Sequence, residues 1–189
     1  MKHENIKNLA LAAMFLALGV VLPFFTGQIP EVGSMLLPMH LPVLLCGLIC
    51  GWEYGAAVGF VLPPLRFALF GMPPIFPTGT AMAFELAAYG LLAGLLYSRS
   101  RWQCIRALYR CLMIAMIGGR IVWGAVMVVL LGLSGSVFTW KMFFAGALLN
   151  ALPGIALQLV LIPSVMAALN RTGLVPYRRT ALKSAGSAL

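Results

Sequence analysis

The chain contains no aspartate, and its only acids are Glu4, Glu31, Glu53 and Glu85. That excludes any mechanism built on an aspartate pair or a carboxylate metal cluster. Histidine occurs only at His3 and His40. No G-x-x-x-x-G-K-S/T segment is present, so the chain cannot cradle and hydrolyse ATP by itself. Charged residues make up 9% of its 189 positions, whereas soluble domains carry about a quarter. A water-facing surface cannot be built from so few. What the chain has instead is apolar: 62% of residues are hydrophobic and the mean hydropathy is +1.00. This is the composition of an integral membrane protein.

A net charge of +9 invites a nucleic-acid reading, but the positions of the charges decide against it. A bilayer-spanning helix needs roughly 20 mostly apolar residues. Six apolar runs are read, at about 8 to 25, 36 to 51, 53 to 70, 79 to 97, 110 to 133 and 141 to 169. Ten of the thirteen Lys and Arg (Lys2, Lys7, Arg99, Arg101, Arg106, Arg110, Arg171, Arg178, Arg179 and Lys183) lie in the N-terminal tail, in the connection around 98 to 110, or in the C-terminal tail. The alternate loops, about 26 to 35, 71 to 78 and 134 to 140, hold none, with Lys141 at their edge. The positive-inside rule then puts both termini in the cytoplasm. An odd number of spans would split the basic clusters, so the expected fold is all-α with six transmembrane helices. Lys2 and Lys7 before the first run resemble a signal peptide, but Pro23, Phe24 and Phe25 end it with no small-residue cleavage site following. It is read as a mature helix. One domain is expected over 1 to 189, with 171 to 189 a basic cytoplasmic tail.

Small residues four apart let transmembrane backbones approach closely. Gly47 and Gly51, Gly55 and Gly59, and Gly90 and Gly94 share this spacing and fall in the cytoplasmic halves of the second, third and fourth runs. That half should be tightly closed. Polar groups gather in the outer half: His40 at the start of the second run, Arg66 near the end of the third, Glu85 in the fourth and Asn150 in the sixth, with Arg120 deeper in the fifth. Ionisable groups inside a span are costly and face a cavity or one another. Their similar depth suggests an outward-opening pocket. Arg66 and Glu85 either form a structural ion pair or face a ligand, and His40 and Asn150 have equally plain packing roles. If Glu85 neutralises one arginine, the other leaves the pocket positive and suited to an anion such as a carboxylate.

Phe24, Phe25, Met35, Met72, Phe76, Phe138 and Trp140 lie in or beside the outer loops, with Trp123 in the fifth run. An aromatic belt accounts for most of them. The loop from Gly71 to Gly79 is too proline-rich for helix and is a candidate cap over a ligand, as is the stretch from Gly27 to Gly33. Phe76, Trp123 and Trp140 join His40, Arg66, Glu85, Arg120 and Asn150 as candidate substrate contacts. Cys46, Cys50, Cys104 and Cys111 read as free thiols, and no disulfide is expected.

Three ordered blocks carry a resemblance: Ala13-Met14-Phe15-Leu16-Ala17 in the first run, Leu37-Pro38-Met39-His40-Leu41-Pro42-Val43-Leu44-Leu45-Cys46-Gly47, and Gly51-Trp52-Glu53-Tyr54-Gly55-Ala56-Ala57-Val58-Gly59. Over roughly residues 8 to 170 the chain resembles the substrate-binding S components of energy-coupling factor (ECF) transporters. The resemblance implies a high-affinity subunit of the bacterial cell membrane that binds a vitamin or similar micronutrient from outside. A transmembrane T component and two ATPases would consume the ATP and drive toppling and release; this chain would carry no bound cofactor. It also implies that Ala13 and Ala17 contact the T component. The cobalt and nickel members begin Met-His-Ile, whereas this chain begins Met1-Lys2-His3-Glu4, so their metal site is absent. Pantothenate, folate, lipoate, pyridoxine, a corrinoid and haem all stay open, and a basic pocket favours those bearing a carboxylate.

Two other classes compete. An intramembrane serine protease needs a buried Ser and His pair, but the serines lie almost entirely in loops and tails. A self-sufficient secondary transporter or channel often shows internal repeats and mid-membrane acids. The two halves of this chain show no repeat, and Glu85 is its single acid well inside a run.

Overall fold

A computed structural model describes residues 2–26, 38–100, 104–133 and 152–172. Every regular element among them is helical. In chain order they are α1 (Lys2–Val21), a short 3-10 turn (Leu22–Thr26), α2 (His40–Cys50), α3 (Trp52–Phe70), a π-type turn (Ile75–Gly79), α4 (Thr80–Arg99), α5 (Ile105–Leu133) and α6 (Leu152–Arg171). Among the described residues, six α-helices overlap the six apolar runs. Four segments, Asn5–Phe24, Ile75–Arg99, Ile105–Leu133 and Leu152–Arg171, are long and apolar enough to cross a membrane.

The second helix departs from expectation. It has 11 residues, about 16 Å at the usual rise, half of a ~30 Å hydrocarbon core. Nearly all of it is buried: Pro42, Val43, Leu44, Leu45, Cys46 and Leu48 all sit inside the protein. It is largely enclosed by the neighbouring helices and covers only part of the apolar run of residues 36 to 51. Gly51, at φ 104°, separates it from α3. That left-handed conformation is strained for a residue with a Cβ, and it lets the chain turn from α2 into α3 within a single residue.

α4 is central, packing against α2, α3 and α5. Five of the six paired glycines explain how, Gly51 having no neighbour near its Cβ position. A Cβ on Gly47 would strike the Gly90 carbonyl, one on Gly90 the Gly55 backbone, one on Gly59 the Leu86 backbone, and one on Gly94 the backbones of Gly47 and Trp52. Backbone therefore rests on backbone where α2, α3 and α4 meet, the tight closure that the spacing predicts. α1 lies across α2 and α3, burying Ala12 and Phe15, and Gly19 leaves room for the Leu62 side chain. Asn8 Nδ2 donates to the Cys50 carbonyl and Tyr54 Oη to the Asn5 carbonyl, each at 3.5 Å. Ala13 and Ala17 are exposed on the opposite face of α1, beside exposed Met14 and Leu18.

α3 continues helical through Pro63 and Pro64 and ends at Gly71, whose left-handed φ of 70° caps it. There the Gly71 N–H donates to the Phe67 carbonyl at 2.7 Å. The segment after it is more ordered than a loop. Gly79 N–H donates to the Pro74 carbonyl and Thr80 Oγ1 to the Ile75 carbonyl, both at 2.8 Å. All four cysteines are free thiols.

Candidate functional site

Three helices contribute one buried polar cluster. His40, the first residue of α2, and Glu85, in the second turn of α4, are each 1% exposed. Arg120 comes from the middle of α5. Its Nη1 lies 2.9 Å from Glu85 Oε1, and His40 Nε2 lies 3.6 Å from the same oxygen. A fourth member, Tyr89, donates its hydroxyl to Glu85 Oε1 at 3.0 Å. Its ring meets the edge of His40, centroids 5.1 Å apart.

The local sequence explains this convergence. Glu85 and Tyr89 are four apart, so they share a face of α4. Gly118 and Gly119 immediately precede Arg120. A Cβ on Gly119 would strike the Tyr89 ring, and one on Gly118 the Leu92 side chain. The glycines let α5 approach α4 closely enough for the Arg120 guanidinium to reach Glu85. An arginine inside a membrane costs about 3 kcal/mol on insertion scales, and an opposite charge within hydrogen-bonding distance offsets that cost.

The cluster corrects one expectation. Glu85 is paired with Arg120, so the alternative of a structural Arg66–Glu85 pair does not hold: Arg66 has no ion-pair partner among the described residues. His40 and Glu85 are buried where α2, α4 and α5 meet, while the Arg120 side chain keeps 13% of its exposure. Residues 134–151, including Trp140 and Asn150, lie outside the described residues. Lys141 falls there too.

Arg66 belongs to the buried stripe of α3, with Gly55, Val58, Gly59, Leu62 and Pro63. It is 6% exposed, and its Nε has no hydrogen-bond partner among the described residues. Trp123 stands about one turn beyond Arg120 on α5, half-buried. Phe76, 53% exposed on the π-type turn, stands outside the cluster. A shallow apolar groove lies between α3 and α4 below that turn, lined by Phe60, Pro63, Pro64, Ile75, Thr80 and Phe84. It includes none of the buried charges, so the polar chemistry lies elsewhere. No group of three or more His, Cys, Asp or Glu able to hold a metal occurs among the described residues. Tyr89 was missed from sequence because tyrosine in an apolar run reads as belt or core. Its spacing of four from the single mid-run acid was the available signal.

Residues 7–166 match the family described as ECF transporter, substrate-specific component. The chain belongs to that family. It is therefore a substrate-specific subunit of an ECF transporter, a multi-pass membrane protein whose family works with T and ATPase components on a small-molecule substrate. S components are transport subunits rather than enzymes. No curated protein and no solved structure matches the chain.

Proposed function

We propose that this S component captures an anionic micronutrient of the vitamin class at the outer side of a bacterial cell membrane. Its T component and two ATPases then drive release into the cytoplasm by toppling. In this reading all six helices form one membrane domain with both termini cytoplasmic, the basic connections facing inward. ATP is used on the partner chains, and no cofactor is bound by this one. The observation that carries the anionic reading is the balance of buried charge. Glu85 neutralises Arg120, which leaves Arg66 buried without a carboxylate among the described residues. With His40 neutral, the described outer half carries an excess of one positive charge. A bound anion would remove that excess. Arg66, Arg120, His40 and Glu85 are the proposed contacts, with Phe76, Trp123, Trp140 and Asn150 as further candidates.

Native mass spectrometry of the protein purified without added ligand tests this directly. The expected result is a co-purified small molecule carrying at least one anionic group, with no ATP hydrolysis by the chain alone. A cationic or neutral ligand would overturn the anionic reading. Ion-driven uptake by the chain alone would overturn the division of labour.

A further inference from the structure

A guanidinium carries five N–H donors in a rigid planar fork, and the way Arg120 is held decides which of them remain available. Nη1 is taken by Glu85 Oε1 at 2.9 Å. Nε and Nη2, the adjacent pair along one side of the guanidinium, are both buried and have no hydrogen-bond partner among the described residues. Buried donors without partners are costly, and these two lie side by side. Two parallel N–H groups on one edge match the two oxygens of a planar oxyanion.

Tyr89 bears on which edge is left over. Its hydroxyl donates to the same Glu85 oxygen that receives Arg120 Nη1, and its ring is confined between Gly119 and His40. Tyr89 thus orients Glu85, and Glu85 orients the guanidinium. The charge balance narrows the ligand class. Glu85 already balances the Arg120 charge, so a carboxylate monoanion adds less uncompensated negative charge there than a phosphate dianion would.

We infer that the Nε–Nη2 edge of Arg120 is the seat of a carboxylate on the transported solute, gripped side-on by two N–H donors, with Glu85 and Tyr89 as its positioning residues. The inference rests on the anionic-solute reading above and narrows it to carboxylates.

The test uses the full chain in lipid nanodiscs. Its thermal unfolding midpoint is followed while sodium formate or acetate is titrated against sodium chloride at equal ionic strength, with inorganic phosphate as a separate series. Formate and acetate should raise the wild-type midpoint above its value in chloride. In Arg120→Lys, which keeps the charge but loses the fork, the apparent affinity for formate should fall about tenfold or more, as expected for loss of a charge-assisted hydrogen bond. Tyr89→Phe leaves every charge in place, and it should weaken formate binding severalfold while its midpoint in chloride stays close to wild type. If Arg120→Lys does not insert, Tyr89→Phe alone carries the test. A wild-type protein that gains no more from formate than from chloride overturns the seat. So does an Arg120→Lys protein that binds formate normally, and normal binding by Tyr89→Phe removes its positioning role. Stabilisation by phosphate that is lost in Arg66→Gln, without any formate effect, would overturn the carboxylate seat while leaving the anionic reading intact.

Discussion

At the scale of single residues, the two membrane arginines play opposite parts. Arg120 is held by a carboxylate at 2.9 Å, so removing either partner strands a buried charge. Glu85→Ala and Arg120→Ala should each lower stability by about 3–5 kcal/mol. The double variant should lose clearly less than their sum, as a double-mutant cycle on detergent unfolding would show. Additive losses would mean that the pair contributes little. Arg66, buried with an unpartnered Nε, should behave differently. Arg66→Gln is expected to leave the ligand-free protein as stable as wild type or more so, because an uncompensated charge is removed. It should nevertheless weaken binding of the co-purified ligand about tenfold or more; unchanged affinity would remove Arg66 from the site. That both arginines matter was legible from their places inside apolar runs. Which one holds Glu85 was not, because Arg66 and Arg120 are both plausible partners until the depth and facing of α3 and α5 are known.

Among the elements, contact between helix backbones dominates. Gly90 lies where its Cβ would strike the Gly55 backbone, which cannot yield as a flexible side chain can. Gly90→Ala should cost about 1–3 kcal/mol through overpacking and visibly lower the unfolding midpoint. Gly132→Ala, where a Cβ meets open space, is the matched control and should be neutral. Equal behaviour of the two variants would refute the close-packed α2–α3–α4 core. The outward face of α1 lends itself to a different experiment. Ala13 and Ala17 are exposed while Ala12 and Phe15 pack inward, so a Leu at Ala13 or Ala17 should leave folding and ligand binding intact. Uptake with the T component and ATPases present should fall if these small residues form the docking face; full uptake would exclude that assignment. The glycine spacing foretold the tight packing because a period of four is a property of one helix. The half-length of α2 was not foretold, since a short apolar run reads alike whether lipid or protein surrounds it.

For the whole molecule, the expectation is dependence on other chains. Cells expressing this S component alone should accumulate no labelled ligand, and co-expression of T component and ATPases should restore uptake. Uptake that survives loss of the ATPases would overturn the proposed energy source. Composition settled the membrane class, because 9% charged residues cannot cover a soluble surface. Hydropathy marked out the helices, because burying backbone polar groups in lipid leaves helix as the solution for a single segment. Both are local or summed properties of the chain and can be read in one dimension. Only the tertiary structure decided that α4 is central, that α2 is largely enclosed, and that Glu85 is held by Arg120 and Tyr89 while Arg66 stands apart. These outcomes depend on how helices are rotated and how closely they approach, which is set by backbone contact at Gly47, Gly55 and Gly90 and by the Tyr89 ring resting on Gly119, between segments distant in sequence.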